Sequence, residues 1–110
     1  MSGKFELKPT VNGEFMFNLK ASNGEKILTS ERYTSKAGAD NGIQSVKVNA
    51  VIDSRYEDRV SSKSEPYFVL KAANGEIIGT SEMYSSAAAR DNGKASVKNT
   101  APDAVIEDLI

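Results

Sequence analysis

The sequence predicts an α+β fold in which two tandem repeats, each of three strands, a helix and a strand, share one antiparallel sheet with both helices on the same face. Three observations lead there. The segment Phe17 to Ala50 returns 51 residues later as Phe68 to Ala101 with about 21 of 34 aligned positions identical, the mark of a duplicated structural unit. Within each copy the apolar spacing changes from alternation to a helical period after a Ser-Glu-x-Tyr stretch. At 110 residues and 39% hydrophobic content the chain supplies one ordinary core, so two units of this size are expected to share it. The expected organisation is a single domain over 1–110, with repeats over approximately 1–54 and 55–110.

Lys4 to Lys8 alternates apolar and polar residues before Pro9 and reads as a first strand ended by a turn. After Asn12-Gly13, Phe15, Phe17, Leu19 and Ala21 fall on one face of a second strand, with Met16, Asn18 and Lys20 on the other. Asn23-Gly24 closes a hairpin into a third strand over Glu25 to Ser30. A two-residue turn would set Lys20 opposite Ile27. A three-residue loop with Gly24 left-handed sets Leu19 opposite Ile27 and Phe17 opposite Thr29; it gathers the residues common to both copies on one face and is the expected register.

Thr34 or Ser35 can cap a helix in which Ala39, Ile43, Val46 and Ala50 recur at helical spacing. Gly42 lies inside it, where glycine costs about 1 kcal/mol against alanine. Its recurrence as Gly93 points to close approach of the helix to the sheet; the rival is a helix broken at Asn41-Gly42. Val51 to Val60 has no strong breaker, and Tyr56 aligns with Phe5, so this run can be both the last strand of the first unit and the first of the second. The second copy repeats the hairpin around Asn74-Gly75, with Pro66 for Phe15 and Gly79 for Leu28. Ser86 caps its helix, Ala101-Pro102 stops it, and Ala104 to Ile110 offers a last strand.

Composition excludes much chemistry. The chain has no cysteine and no histidine, which removes disulfides, thiolate nucleophiles, the usual zinc ligands and the common proton shuttle near neutral pH. No cofactor is expected. A formal charge of −1 with interspersed signs gives no electrostatic footprint for nucleic acid or an anionic membrane. The N-terminus lacks the apolar run of a signal peptide, and no segment approaches a membrane span, so a cytoplasmic protein is expected.

The tandem pattern Phe-x-Leu-Lys-Ala-x-Asn-Gly-Glu, Thr-Ser-Glu-x-Tyr, Asn-Gly and Ser-Val-Lys resembles the YegP-like family of small, mostly bacterial proteins of unknown function. The resemblance covers Phe5 to about Asp103. It implies two β3-α-β units in one sheet with their C-terminal strands exchanged, and it implies no activity, cofactor or catalytic residue.

Two sets of residues are candidates for function. The first is the repeated polar corner: Glu31, Tyr33 and Asn41, with Glu82, Tyr84 and Asn92. Here Glu31 and Glu82 read as partners of helix starts, Tyr33 and Tyr84 as packing residues with a bonded hydroxyl, and Asn41 and Asn92 as amides holding a neighbouring loop. An enzyme using Glu, Lys, Ser or Tyr at these corners is the alternative. Ser30 with Lys20 and Ser81 with Lys71 would make a serine-lysine pair, but no spacing motif or oxyanion hole accompanies them. The second set is the sheet face away from the helices, where alternation puts Met16, Asn18, Lys20, Leu28, Tyr67, Val69, Lys71 and Ile77. Left open, it would expose an apolar patch of the kind that marks interaction sites; curvature or the termini would otherwise cover it. The expectation is a non-enzymatic binding module, monomeric because its second repeat supplies the partner that a single repeat needs, acting on an unknown protein or small-molecule partner through the helix-free face.

Overall fold

The computed structural model of the chain describes residues 3–110; Met1 and Ser2, the start of the segment read as lacking a leader, lie outside them. Strands β1 (Lys4–Pro9), β2 (Phe15–Lys20) and β3 (Lys26–Ser30) precede helix α1 (Lys36–Asn49). Strands β4 (Tyr56–Val60), β5 (Pro66–Lys71) and β6 (Ile77–Thr80) precede α2 (Ala87–Thr100) and the final strand β7 (Val105–Asp108). All seven strands form one sheet in the order β4-β5-β6-β3-β2-β1-β7. The halves meet at its centre, where β3 and β6 pair antiparallel with Thr29 opposite Thr80. These are the same position of the two repeats, so a pseudo-two-fold axis passes between them.

The sheet is mixed, and the expectation of an all-antiparallel sheet is corrected here. Strand β7 runs parallel to β1, with Lys4 beside Val105 and Leu7 beside Asp108. Hairpins impose the antiparallel sense within each half, and β3 meets β6 antiparallel across the pseudo-axis, whereas β7 is delivered by a helix and a 3-10 turn at Ala101–Asp103, a connection long enough to permit either sense. Exchange is also confined to one strand. β7 leaves the second repeat to complete the first, while the last strand of the first repeat and the first strand of the second are one strand, β4.

The hairpin loop takes the expected form. Ala21 N–H donates to Glu25 O at 2.9 Å, Gly24 N–H to Ala21 O at 2.9 Å, and Gly24 has φ +86°. A β-bulge then shifts the register between Leu19 and Lys20, so that Leu19 faces Leu28 and Asn18 faces Thr29. Leu28 therefore turns into the core and is fully buried, which corrects its placement on the helix-free face. The second hairpin carries the same bulge, with Leu70 opposite Gly79 and Val69 opposite Thr80.

Ser35 caps α1 by accepting from Gly38 N–H at 3.0 Å, and Ser86 caps α2 by accepting from Ala89 N–H at 3.1 Å. Helix α1 continues unbroken through Asn41-Gly42. The glycine is needed for a ring rather than for the sheet backbone: a Cβ on Gly42 would stand 2.3 Å from Tyr33 Oη, and one on Gly93 would stand 2.2 Å from Tyr84 Oη. Tyr33 stacks on Phe17 with centroids 6.2 Å apart, and Tyr84 on Phe68 at 6.5 Å. One buried cluster joins Phe5, Phe17, Leu19, Ile43 and Val46 to Phe68, Leu70 and Val97. Both helices thus cover the same side of the sheet, over a single core built by both repeats.

Candidate functional site

The repeated corners are assembled mainly by structural bonds. Ser30 Oγ accepts from Phe17 N–H at 2.9 Å and donates to Glu31 O at 2.7 Å; Ser81 does the same with Phe68 and Glu82. Each serine faces the core while Lys20 and Lys71 project from the other face, so neither serine-lysine pair is brought together. Glu31 and Glu82 are exposed and precede the helices without capping them, because Ser35 and Ser86 hold that role; their assignment to the helix starts is corrected accordingly. Asn41 and Asn92 are exposed on the helix surfaces and do not hold a buried loop. Burial pushes the Tyr33 and Tyr84 hydroxyls above their ordinary value, assisted by the charges of Glu31 and Glu82.

The corners do bring the repeats against each other. A cleft of about 560 Å3 lies between Glu31 and Tyr33 of the first repeat and Gly75, Glu76, Ile77 and Ile78 of the second. Ile77 thereby belongs to this cleft. Across the pseudo-axis, the charge of Glu25 acts on the Tyr84 hydroxyl in the same relation. The turn residues in it serve themselves: Asn23 and Glu25 bond reciprocally at 3.0 Å, as do Asn74 and Glu76.

The helix-free face is organised differently. One row crosses the whole sheet through facing residues: Glu107, Glu6, Asn18, Thr29, Thr80, Val69 and Glu57. Asn18 and Val69 occupy the same repeat position and are both 1% exposed, flanked by the half-buried Met16, Lys20, Tyr67 and Lys71. Asn18 Nδ2 donates to Thr29 Oγ1 at 2.9 Å, and its Oδ1 is buried with no partner among the described residues. Because Val69 is buried and Leu28 faces the core, the expected open apolar patch is replaced by a polar surface with a sheltered centre.

Two ion-pair clusters flank that centre. Lys20 lies 3.1 Å from Glu6, and Lys4 bridges Glu6 and Glu107. On the other side Glu57 is held by Lys71 and Arg59, each at 2.5 Å. The Lys20 hydrogen bond draws the Glu6 carboxyl below its ordinary value, and Lys71 with Arg59 does the same for Glu57. Glu6, Glu57, Thr29 and Thr80 were not singled out from the sequence. The signal was present, since the repeat offset pairs Glu6 with Glu57 one residue beyond the Phe5–Tyr56 match. Among the described residues no cluster of three acidic side chains is arranged to hold a metal ion, and no helix is long and apolar enough to cross a membrane.

Comparison with known proteins agrees with this architecture. Residues 11–57 and 61–108 each match the domain of unknown function DUF1508. A UPF0339 protein of Shewanella oneidensis is 57% identical, over 99% of both chains, and the UPF0339 protein YegP of Yersinia pestis is 55% identical over 97% of this chain and 96% of the relative. The solution NMR structure of the Shewanella oneidensis protein superposes with a TM-score of 0.92, covering 99% of this chain and 92% of that one. That of YegP from E. coli, a protein of unknown function at 49% identity, superposes at 0.94, covering 99% and 94%. With both repeats matched, and relatives above half identity along its whole length, the chain belongs to the DUF1508 family in the tandem form shared by the UPF0339 proteins.

Proposed function

We propose that the protein is a non-enzymatic binding module that works as a cytoplasmic monomer and presents the helix-free sheet face to a partner protein. The observation that carries this reading is the seven-residue row, whose two hydroxyls at the pseudo-axis, Thr29 and Thr80, stand between two ion-pair clusters, Glu6 and Glu107 with Lys4 and Lys20 on one side and Glu57 with Arg59 and Lys71 on the other. Paired, partly sheltered charges of both signs favour a protein surface of complementary pattern over a uniformly charged polymer. The unpartnered Asn18 oxygen supports a role for this face, since a buried amide left unsatisfied costs stability that the fold gains nothing from. The serine and tyrosine of each corner are already committed to backbone bonds and ring stacking, which argues against chemistry there.

The test is affinity capture with the full chain, then amide-shift mapping with the captured protein. Shifts at Met16, Lys20, Thr29, Tyr67 and Thr80 are expected, with binding lost in a Thr80→Arg, Tyr67→Ser variant that melts like the parent. Shifts confined to Glu31, Tyr33 and Glu76 would overturn the reading. Sedimentation at micromolar concentration should give a single monomeric species.

A further inference from the structure

The two edges of the sheet are related by the pseudo-axis but are not equally covered. At the first, β7 lies along β1; Phe5 and Leu7 are fully buried there, and Lys4 takes Glu107 at 3.1 Å. At the second, β4 has β5 as its one strand neighbour among the described residues. The position equivalent to Phe5 is Tyr56, half-buried, and its ring lines a cavity of about 270 Å3 with Asp53 and with Asp91, Lys94, Ala95, Lys98 and Asn99 of α2, where the ring, Ala95 and the lysine stems offer the apolar surface. At the first edge Ile106, 42% exposed, stands opposite Phe5 in the β1–β7 register. The position equivalent to Lys4 is Arg55, which donates to Asn49 Oδ1 at 2.9 Å and has no carboxylate partner among the described residues.

We infer that the outer edge of β4 is a docking site for an extended peptide segment, bound parallel to β4 as β7 is bound to β1, with an apolar residue entering the cavity beside Tyr56 and the next residue, acidic, meeting Arg55. An unpaired edge offers backbone groups that such a strand completes, and pockets at alternate positions select its side chains. The register of β7 on β1 fixes the chemistry of the occupant. The residue corresponding to Ile106 lies beside Tyr56, that corresponding to Glu107 beside Glu57 within reach of Arg55, and that corresponding to Asp108 beside Asp58. The last differs from the first edge, where Leu7 and Lys36 receive Asp108. Asp58 is held by Arg90 and Lys94 and disfavours a second acid, so a basic residue belongs there. Around this edge Arg55, Arg59, Lys71, Arg90, Lys94 and Lys98 outnumber Asp53, Glu57, Asp58 and Asp91, an excess of positive charge on a chain whose net charge is −1. These charges reject a wholly apolar strand, the guard that edge strands need, and admit one with an acid at the single matched position.

The probe is a synthetic peptide with the sequence of residues 101–110 and Asp108→Lys, titrated into isotope-labelled full-length protein. Amide shifts are expected over Arg55–Val60 and at Lys94 to Lys98. Affinity should fall at least tenfold when the peptide also carries Glu107→Lys, or when the protein carries Arg55→Ala, a partly exposed substitution that leaves the core untouched. Shifts over Lys4–Pro9, meaning that the peptide only displaces β7, would overturn the inference. So would equal affinity for the two peptides, or no shift at millimolar peptide.

Discussion

The side chain of Leu28 occupies the space above Gly79, where a Cβ would stand 2.6 Å from Leu28 Cδ2 and 2.7 Å from its Cγ. The two are the same position of the two repeats, and pairing of β3 with β6 brings them together across the pseudo-axis. Two leucines cannot fit there, so the chain has broken its own symmetry. Gly79→Leu is expected to overpack the centre and cost about 1–3 kcal/mol, and Leu28→Gly to cost more by opening a cavity. The exchange of both residues should cost clearly less than the sum of the two. Urea denaturation of the four proteins measures the coupling; additive costs would show that the contact is not what selects glycine.

Gly42 and Gly93 make room for tyrosine rings, which sets a sign. In an open helix position alanine would gain about 1 kcal/mol over glycine. Here a Cβ at Gly42 meets Tyr33 Cζ at 2.6 Å and Phe17 Cε2 at 3.1 Å, so Gly42→Ala is expected to destabilise by about 1–3 kcal/mol. Gly93→Ala should behave alike against Tyr84. Adding Tyr33→Ala to Gly42→Ala should reduce the further cost of the helix substitution to nothing or reverse it. A higher melting temperature for Gly42→Ala alone would contradict the packing described.

The sequence made the repeats, the caps and the side of the sheet that carries the core legible, because Phe17, Leu19, Phe68 and Leu70 alternate and Ser35 and Ser86 precede helical spacing. It misplaced Leu28 because a bulge of one residue reverses the alternation and leaves no mark in composition. The parallel sense of β7 was hidden because pairing at an edge depends on where the preceding helix delivers the chain, a tertiary matter. The polar row was hidden for another reason: Glu6, Thr29, Thr80 and Glu57 are ordinary surface residues until seven strands align them. Asn18 and Val69 look dissimilar in sequence, and only their shared burial shows that they solve one packing problem.

The second repeat holds Val69 where the first holds Asn18, and the Asn18 oxygen is buried with no partner among the described residues. Asn18→Val should stabilise the protein by about 1 kcal/mol, since an unsatisfied buried amide is removed while the half-buried Thr29 can bond to water. Denaturant midpoints decide it, and a loss of more than 1 kcal/mol would show that the Thr29 bond outweighs the missing one.

Three tyrosines are expected to make the fold sensitive to alkali. Burial raises Tyr56 strongly, with its hydroxyl donating to Ala50 O at 2.6 Å, and raises Tyr33 and Tyr84 less, all from an ordinary value of 10. Above that pH the unfolded chain releases protons that the folded chain retains, so stability is undiminished by these groups below pH 10 and falls as the pH rises past it. Denaturation at pH 9, 10 and 11 should show the decline, and Tyr56→Phe should flatten it. An unchanged slope in that variant would locate the sensitivity elsewhere.

In a fragment of residues 1–54, β3 loses β6, β1 loses β7, and Phe5 and Leu7 lose the cover that the second repeat supplies. A unit of this size buries too small a share of its surface to offset the entropy of ordering it. The fragment should therefore dimerise or remain unfolded, with sedimentation and thermal melting distinguishing the two. Deleting residues 105–110 from the full chain isolates the contribution of β7: the remaining sheet should persist, less stable, with amides of Lys4–Pro9 exchanging faster than those of β5. A cooperatively melting monomer of 1–54, or unchanged exchange in β1 after the deletion, would show that each repeat is self-sufficient and that the crossing strand adds no cover.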